Sequence, residues 1–285
     1  ELFLLHKMTM FEMDLWMSMA YFIEQQVDYC IIEAGMGGRL DATTALDYKA
    51  CLITNVGLDH TEYLGDTFEQ IAYEKSGVFK PNVPALTTEV KPECQKVMEL
   101  VADYMKTPLC FIDCQETDVL RWNGMTFHLN PPLYQAKNLS LALETLNVLG
   151  IWLEENEIQQ VIDHFQWAGR YMVLRKDPLV LLDGAHNVHG ITALIQSLKD
   201  FTGKIYFSVL KEKDAPHMIE LLQSISKDIT LVEISSARLY PLEELGYPII
   251  TVDELISRLL DTKEDSLLCG SLYYVGAVSY THLRA

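Results

Sequence analysis

The sequence predicts an α/β protein of two domains, each built on a parallel sheet that helices cover on its faces. Three observations lead to this expectation. Short apolar, β-branched runs alternate with amphipathic stretches of helical length along most of the chain, as in βαβ units. The 285 residues exceed the length of one average domain. A hydrophobic content of 49% with 22% charged residues describes an ordinary globular core and excludes a disordered or fibrous chain.

Hydrophobic periodicity and capping signals predict the elements of the first half. Four apolar residues at helical spacing predict an amphipathic helix near the start: Phe11, Leu15, Met19 and Phe22. Two buried strands are expected in VDYCIIEAG (27–35) and ACLITN (50–55). Thr67 and Gln70 have the spacing of a capping box, so a helix begins there, and Gly77 and Pro81 end it. Strand, helix and strand then follow in residues 84–88, 92–106 and 109–113.

The second half opens with a hairpin and then returns to alternation. Asn123-Gly124 lies between two β-rich runs, which is a strong two-residue hairpin signal. Helices are expected in 134–149 and 155–165, and QWAGR (166–170) then interrupts the pattern with a glycine. After it the alternation resumes through to SLLCG. We therefore expect domains at 1–168 and 169–285, with a hinge near Gly169.

Charge and cysteine content narrow the class of protein. Twenty-two basic and forty acidic residues give a net charge of −18, which repels nucleic acid and anionic membranes. None of the six cysteines forms a CxxC pair, and Cys110 and Cys114 lack partners at zinc-site spacing. The chain has no signal-peptide pattern and no run of about 20 apolar residues. These features predict a soluble protein of a reducing, cytoplasmic compartment.

Ligands of parallel α/β folds bind beyond the carboxyl ends of the strands, so the residues that end each apolar run are candidates. Glu33 ends the run 27–35 and precedes a glycine-rich stretch, GMGGR, then Asp41. An acid in this position can hold Mg²⁺, but a glycine-rich turn with a solvated acid is an equally good interpretation. Asp59 and His60 follow the next strand, and a Glu–His pair would suit Mn²⁺ or Zn²⁺ as readily as Mg²⁺.

Two further candidates occur later in the chain. Lys75 lies in a predicted helix, where a solvated lysine paired with a neighbouring glutamate is the default. Asp183, His186 and Asn187 end a strand in LLDGAHNVHG, just before a helix. They could contact a nucleotide, or Asp183 and Asn187 could simply cap that helix.

Taken together, these motifs match one family in order and spacing over residues 9–278. IIEAGMGGRLDAT, TNVGLDHTEYLGDT, EKSGVFKP, QAKNLSLAL, WAGR, LLDGAHNVHG and CGSLYYVG resemble the folylpolyglutamate synthase/dihydrofolate synthase family of the Mur ligase superfamily. The resemblance implies a P-loop-NTPase-like ATPase domain followed by a smaller, Rossmann-like glutamate ligase domain. It also implies ATP-dependent activation of the carboxylate of dihydropteroate or of a folate as an acyl phosphate, which the amine of L-glutamate then attacks.

The resemblance also implies roles for individual residues. Glu33 and His60 correspond to Mg²⁺ ligands, and Lys75 to a lysine that the family carbamylates, so that it holds a second Mg²⁺. Leu40, Asp41 and Ala42 correspond to the pterin site.

For ATP, the corresponding residues are Asn138, Arg170 at the hinge and Asp183, and His186 matches a cleft histidine. The implied partners are therefore ATP, Mg²⁺, L-glutamate and a pterin or folate, and the implied state is a monomer.

The chain departs from the family pattern at both ends. The sequence contains no GxxxxGK[ST] phosphate-binding loop. We expect an N-terminally truncated fragment, inactive without that loop, whose first domain exposes apolar surface and is poorly stable alone. The residues SYTHLRA at the other end do not resemble the family, and a foreign tail is expected there.

Two other functions stay open at this point. A sister Mur ligase acting on peptidoglycan precursors would share the ATP chemistry, although TEYLGDT and GGRLDAT favour the folate branch. A non-catalytic nucleotide- or pterin-binding fragment is the other alternative. The resemblance does not decide between dihydrofolate synthesis, polyglutamate extension and both.

Overall fold

A computed structural model describes residues 7–198 and 200–282. Its contacts divide the chain into two compact units. The first comprises Glu1–Gln115 and Lys137–Trp152, and the second comprises Glu116–Ala136 and Leu153–Ala285. None of the helices in the described residues is long and apolar enough to cross a membrane.

The first unit is a small parallel sheet with helices. Its strands are β1 (Cys51–Ile53), β2 (Ala85–Thr87) and β3 (Leu109–Phe111), paired in that order. Its helices are α1 (Met10–Gln25), α2 (Thr61–Leu64), α3 (Phe68–Ser76), α4 (Pro92–Met105) and, from Lys137 onward, α5 (Gln135–Val148). The core lies between the sheet and helices α3 and α4 and includes Ile71, Phe79 and Met98, each at most 1% exposed.

Local signals account for where these helices begin and end. The Thr67 side chain accepts the backbone N–H of Gln70, and Gln70 reaches back to the Thr67 backbone, so the predicted capping box is confirmed. Thr9 and Glu12 form a second capping box at the start of α1. Gly77 closes α3, as expected.

The prediction of a strand in residues 27–35 is wrong. This stretch is irregular, Ile31 is 96% exposed, and Glu33, expected at the end of a buried strand, is also exposed. A β-branched run becomes a strand only where a neighbour accepts its backbone hydrogen bonds, and β1 pairs only with β2 among the described residues. Local composition therefore overestimated the tendency of this segment to form a strand.

The first unit exposes a broad apolar surface, as the sequence predicted. Helix α1 buries none of its side chains. Its exposed apolar residues include Met10, Trp16, Met17, Tyr21 and Ile23. The helix is thus formed as predicted. Its stripe residues Leu15, Met19 and Phe22 are only half-buried, and the helix contacts the short 3₁₀ helix Ala42–Ala45.

The second unit combines a hairpin, a helix and a six-stranded sheet. The hairpin is β4 (Val119–Trp122) with β5 (Met125–His128), joined by Asn123-Gly124 as predicted, and α6 (Glu155–His164) packs against it. The sheet contains β6 (Met172–Lys176), β7 (Leu179–Leu182), β8 (Lys204–Phe207), β9 (Ile229–Glu233), β10 (Ile249–Thr251) and β11 (Ser266–Cys269). Its order is β10-β9-β8-β11-β7-β6. Helices α7 (Val188–Ser197), α8 (Ala215–Leu222), α9 (Val252–Asp261) and α10 (Leu272–His282) complete the unit.

One strand of this sheet departs from the parallel arrangement. β6 pairs antiparallel to β7, while every other pair in the sheet is parallel. Only Asp177 and Pro178 separate β6 from β7, and a parallel connection needs a crossover of about a dozen residues. The rest confirms the predicted α/β architecture. The backbone of helix α10 includes the first residues of the tail SYTHLRA, whose residues 283–285 lie outside the described part.

Candidate functional site

In the first unit, a glycine-rich loop packs directly onto the end of helix α3. A Cβ atom on Gly38 would lie 2.8 Å from the Lys75 carbonyl oxygen, and one on Gly77 would lie 2.2 Å from the Cα of Arg39. Only glycine permits this approach. The backbone N–H of Arg39 donates to the Glu74 carbonyl at 2.8 Å, and its guanidinium bonds to the Glu74 carboxylate at 2.9 Å. The loop and Lys75 are therefore held side by side.

Asp41 organises this loop through its carboxylate. Oδ2 accepts the backbone N–H groups of Gly35 at 2.8 Å and Met36 at 3.0 Å. Oδ1 accepts the N–H of Thr43 at 2.9 Å and its hydroxyl at 2.6 Å. Burial opposes the charge, but these hydrogen bonds outweigh it and lower the pKa of Asp41. Both oxygens are thus engaged by the loop itself.

The other residues assigned to the pterin site differ in exposure. Leu40 is 80% exposed, beside Arg39 on the outer surface of the loop. Ala42 is half-buried and begins a short 3₁₀ helix, Ala42–Ala45, which Asp41 caps. An exposed Leu40 next to an ordered loop is a surface that an aromatic ligand could contact. The pterin assignment itself stays a prediction.

Lys75 is a half-buried cation of the first unit's site. It lies in the last turn of α3, and burial lowers the pKa of its ammonium, while the negative charges of Asp59 and Glu33 oppose the shift. The default interpretation of a solvated surface lysine is therefore wrong for this residue. Lys75 is therefore close enough to Glu33 and Asp59 for their charges to interact.

The predicted metal ligands, Glu33 and His60, lie in two different loops. His60 adopts a left-handed conformation at φ 52° and precedes the short helix α2, and its backbone N–H donates to Asp59. No three His, Cys, Asp or Glu side chains in residues 7–198 and 200–282 are arranged to hold a metal ion. Two carboxylates beside a lysine nevertheless fit Mg²⁺ chemically, because carbamylation would turn that lysine into a third oxygen ligand.

In the second unit, a buried aspartate joins two turns. Asp183 is 3% exposed and follows β7. Its Oδ2 accepts the backbone N–H of Tyr171 and its Oδ1 that of Ala185, both at 2.7 Å. The N–H of Gly184 donates to the carbonyl of Gly169 at 2.7 Å. The WAGR turn and the DGAHN turn are thereby locked together.

The predicted nucleotide contacts of this unit gather around Asp183. Burial raises the pKa of Asp183, and the positive charges of Arg170 and His186 act against the shift. Tyr134 shares this environment: burial raises its pKa to about 12, with a smaller contribution from Asp183. The Nδ1 of His186 lies 2.8 Å from the Gly184 carbonyl. The structure thus brings together Arg170, Asp183 and His186.

Two further predictions have separate outcomes. Asn187 accepts the N–H of Gly190 at 2.8 Å and begins α7, so the capping interpretation is confirmed for Asn187. Asp183 does not cap that helix, since both of its oxygens bond elsewhere. Asn138 is exposed in the first turn of α5, and its predicted contact with ATP stays a prediction.

Three residues at these sites were not predicted from the sequence: Tyr134, Tyr171 and Glu89. Tyr134 and Tyr171 lie beside Asp183 but carry no motif signal of their own. Glu89, buried just beyond β2, could have been found, because it is an acid that follows an apolar strand. The same strand-end rule that selected Glu33 would have selected it.

Comparisons with known proteins find similarity over most of the chain. Residues 5–105 match the Mur ligase middle domain. The chain is 29% identical to the dihydrofolate synthase/folylpolyglutamate synthase of Bacillus subtilis, over 95% of this chain and 71% of that protein. The chain is thus shorter than this relative.

Solved structures extend the similarity to the fold. The bifunctional folylpolyglutamate synthase/dihydrofolate synthase of Yersinia pestis, complexed with AMPPNP and a Mn ion, matches with a TM-score of 0.85 and 25% identity. This match covers 98% of the present chain and 72% of that one. FolC of Escherichia coli in complex with ADP gives a TM-score of 0.83 and 28% identity, over 96% and 71% of the two chains.

The chain thus contains a match to the Mur ligase middle domain, and its fold is like that of solved folylpolyglutamate synthase/dihydrofolate synthase structures. Over most of its length, the chain is similar to folylpolyglutamate synthases/dihydrofolate synthases.

Proposed function

We propose that this chain carries the site of an ATP-dependent ligase that joins L-glutamate to dihydropteroate, to the γ-carboxylate of a folyl-glutamate, or to both. The observation that carries the proposal is the half-buried Lys75, which interacts electrostatically with Glu33 and Asp59, next to a loop ordered by Asp41. Relatives with these activities, and a relative's complex with AMPPNP and a Mn ion, support it.

The reaction has two group-transfer steps. An oxygen of the substrate carboxylate attacks the γ-phosphorus of ATP, forming an acyl phosphate while ADP leaves. The amine of L-glutamate then attacks the acyl carbon, phosphate leaves and the nitrogen loses a proton, which gives the amide. Both steps need positive charge around the phosphoryl oxygens and ordered reactants more than covalent help from the protein.

Lys75 suits a role in holding a cation once it is modified. A lysine with a lowered pKa is more often a neutral amine, and only the neutral amine adds CO₂ to form a carbamate. The carbamate would join Glu33, His60 and Asp59 as ligands of Mg²⁺. When bound, Mg²⁺ neutralises charge that develops on the phosphates.

In the second unit, Arg170 supplies a cation that can bind phosphate oxygens. Asp183 holds the backbone of Tyr171, the neighbour of Arg170, and so orients this turn. We assign Arg170, Asp183 and His186 to the nucleotide and reacting groups on this basis, with Asn138 as a further ATP contact. Leu40, Asp41 and Ala42 are assigned to the pterin-binding loop, with Asp41 acting through the loop backbone.

The test measures transfer of labelled L-glutamate to dihydropteroate or tetrahydrofolate, with ATP and Mg²⁺. The chain is assayed alone and with a phosphate-binding strand–GxxxxGK[ST]–helix segment fused ahead of Glu1. We expect transfer by the fused chain and little by the chain alone. Lys75→Ala should abolish it, whereas Lys96→Ala, an exposed lysine of α4, should not.

Two outcomes would contradict the proposal. Transfer of an amino acid to a peptidoglycan precursor, with none to either pterin, would make the protein a sister Mur ligase. Binding of Mn²⁺ and AMPPNP by a folded fused chain without any transfer would leave a nucleotide-binding protein that lacks the ligase activity.

A further inference from the structure

An ion pair beyond β2, between a buried glutamate and a half-buried lysine, holds the loop that leads to Asp59 and His60. Glu89 has a side chain only 1% exposed, in a stretch to which sequence analysis assigned no role. Its Oε2 accepts the backbone N–H of Val56 at 2.5 Å. Its Oε1 accepts the N–H groups of Val90 at 2.9 Å and Lys91 at 2.7 Å. These donors all belong to the first unit.

Lys91 completes the attachment by binding the carbonyl group of the same residue, Val56. Its Nζ donates to the carbonyl of Val56 at 2.7 Å and lies 3.3 Å from Oε1 of Glu89. Both backbone polar groups of Val56 are thus bound by one ion pair. The hydroxyl of Thr88 adds a hydrogen bond to the Thr54 carbonyl at 2.6 Å. The backbone of this segment is therefore held at two residues, Thr54 and Val56.

The same lysine also contacts the helix that carries Lys75. Its Nζ lies 5.1 Å from the centroid of the Phe68 ring, which is a cation–π contact at the first residue of α3. One side chain therefore touches the base of the Asp59–His60 loop and the start of α3. These are the two segments whose charged groups meet at Lys75.

We propose that Glu89 and Lys91 are a positioning pair that presets Asp59 and His60 for a divalent cation. Asp59 lies three residues after Val56, so the pair fixes the loop within one turn of these side chains. A buried charge is costly unless it is paired and hydrogen-bonded, and such a network specifies one arrangement of its partners. This inference rests on the proposed function, and it assigns no contact with substrate to Glu89, which is inaccessible.

The test uses the full 285-residue chain, with Mn²⁺ as the probe. Electron paramagnetic resonance titration gives the Mn²⁺ affinity of the wild type and of Glu89→Gln, and hydrogen exchange gives the protection of amides 54–60. Partners of metal ligands typically contribute about 10–100-fold in affinity. We expect Glu89→Gln to bind Mn²⁺ at least about tenfold more weakly, with faster exchange at 54–60 and unchanged far-ultraviolet circular dichroism.

Two further variants keep the test decisive. Glu99→Gln removes the same charge from an exposed position on α4 and should bind Mn²⁺ like the wild type. Lys91→Met keeps the carboxylate and its backbone donors, so it replaces Glu89→Gln if that variant does not fold. Its loss in affinity should be of similar size, and the double variant should lose little more than either single one, since both act on Val56.

The outcomes separate this inference from the proposed function. Wild-type Mn²⁺ affinity in Glu89→Gln or Lys91→Met would overturn the positioning role. If the wild type binds no Mn²⁺, the proposed cation site fails instead. Hydrogen exchange alone then tests the positioning role of Glu89 and Lys91. Faster exchange of amides 54–60 in the variants supports that role, and unchanged exchange overturns it.

Discussion

The carboxylate of Asp183 accepts the backbone N–H of Tyr171 at 2.7 Å, across eleven intervening residues. Tyr171 adopts φ 46°, a left-handed conformation that non-glycine residues rarely occupy. The hydrogen bond therefore holds a strained turn in place, directly after Arg170. One buried acid orders both the turn before β6 and the turn after β7.

Asp183 should make stability depend on pH in a definite direction. Burial raises the pKa of Asp183 above its ordinary value of 3.8, so the folded protein binds this proton more readily than the unfolded chain does. Its contribution to stability therefore falls as pH rises from about 4 through the raised pKa. The free energy of unfolding of the wild type, minus that of Asp183→Asn, should increase on acidification from about pH 7. Urea titrations check this, with the exposed Asp228→Asn as control; a flat difference would refute it.

Asp41 should behave in the opposite way. Burial opposes its charge, but four hydrogen bonds from Thr43, Met36 and Gly35 lower its pKa. Its stabilisation is present above the ordinary pKa of about 3.8 and is lost as pH falls through the lowered value. Asp41→Asn should cost about 1–3 kcal/mol at neutral pH, because backbone donors lose acceptors. Denaturant unfolding measures this, and Asp47→Asn, at an exposed position, should be nearly neutral.

Lys75 should react as a neutral amine at lower pH than a solvated lysine. Burial is the main cause of its lowered pKa. Trace acetylation followed by mass spectrometry should therefore give Lys75 an earlier rise with pH than the exposed Lys96. With ¹³C-bicarbonate, a carbamate signal should occur in the wild type and in Lys96→Arg but not in Lys75→Arg. Equal profiles for the two lysines would contradict the burial of Lys75.

Two methionines should respond very differently to truncation. Met98 is fully buried in the core of the first unit, whereas Met17 is 52% exposed on α1. Met98→Ala should cost about 2–5 kcal/mol through lost burial and a cavity. Met17→Ala should change the free energy of unfolding by less than about 0.5 kcal/mol. Similar losses in urea titrations would mean that α1 is packed in solution.

Elements set by local chemistry were predictable from the sequence, and those set by distant partners were not. Thr67 with Gln70, and Asn123 with Gly124, determine their own neighbourhoods, so the start of α3 and the hairpin were predicted correctly. The run 27–35 has the composition of a strand, but pairing depends on residues elsewhere in the chain. Composition alone could not show that no strand among the described residues pairs with this run.

In the candidate site, too, the residues were predictable from sequence motifs but their long-range contacts were not. Motif order selected Lys75 and Asp183, but the motifs could not show that the carboxylate of Asp183 is engaged by backbone groups. Nor could they show that Val56 is held by Glu89 and Lys91, since these contacts join positions more than 30 residues apart. Such hydrogen bonds follow from the fold and become visible only in the structure.

Helix α1, which has no fully buried side chain, and the irregular stretch after it have a consequence for the chain's turnover. The buried core of the first unit is built from residues between Cys51 and Ala102, and α1 contributes nothing to it. Tyr29 is 68% exposed in an irregular stretch, which suits cleavage by chymotrypsin. Proteases should therefore nick the chain there first and remove α1 early, while the core that supports Lys75 persists as a resistant fragment.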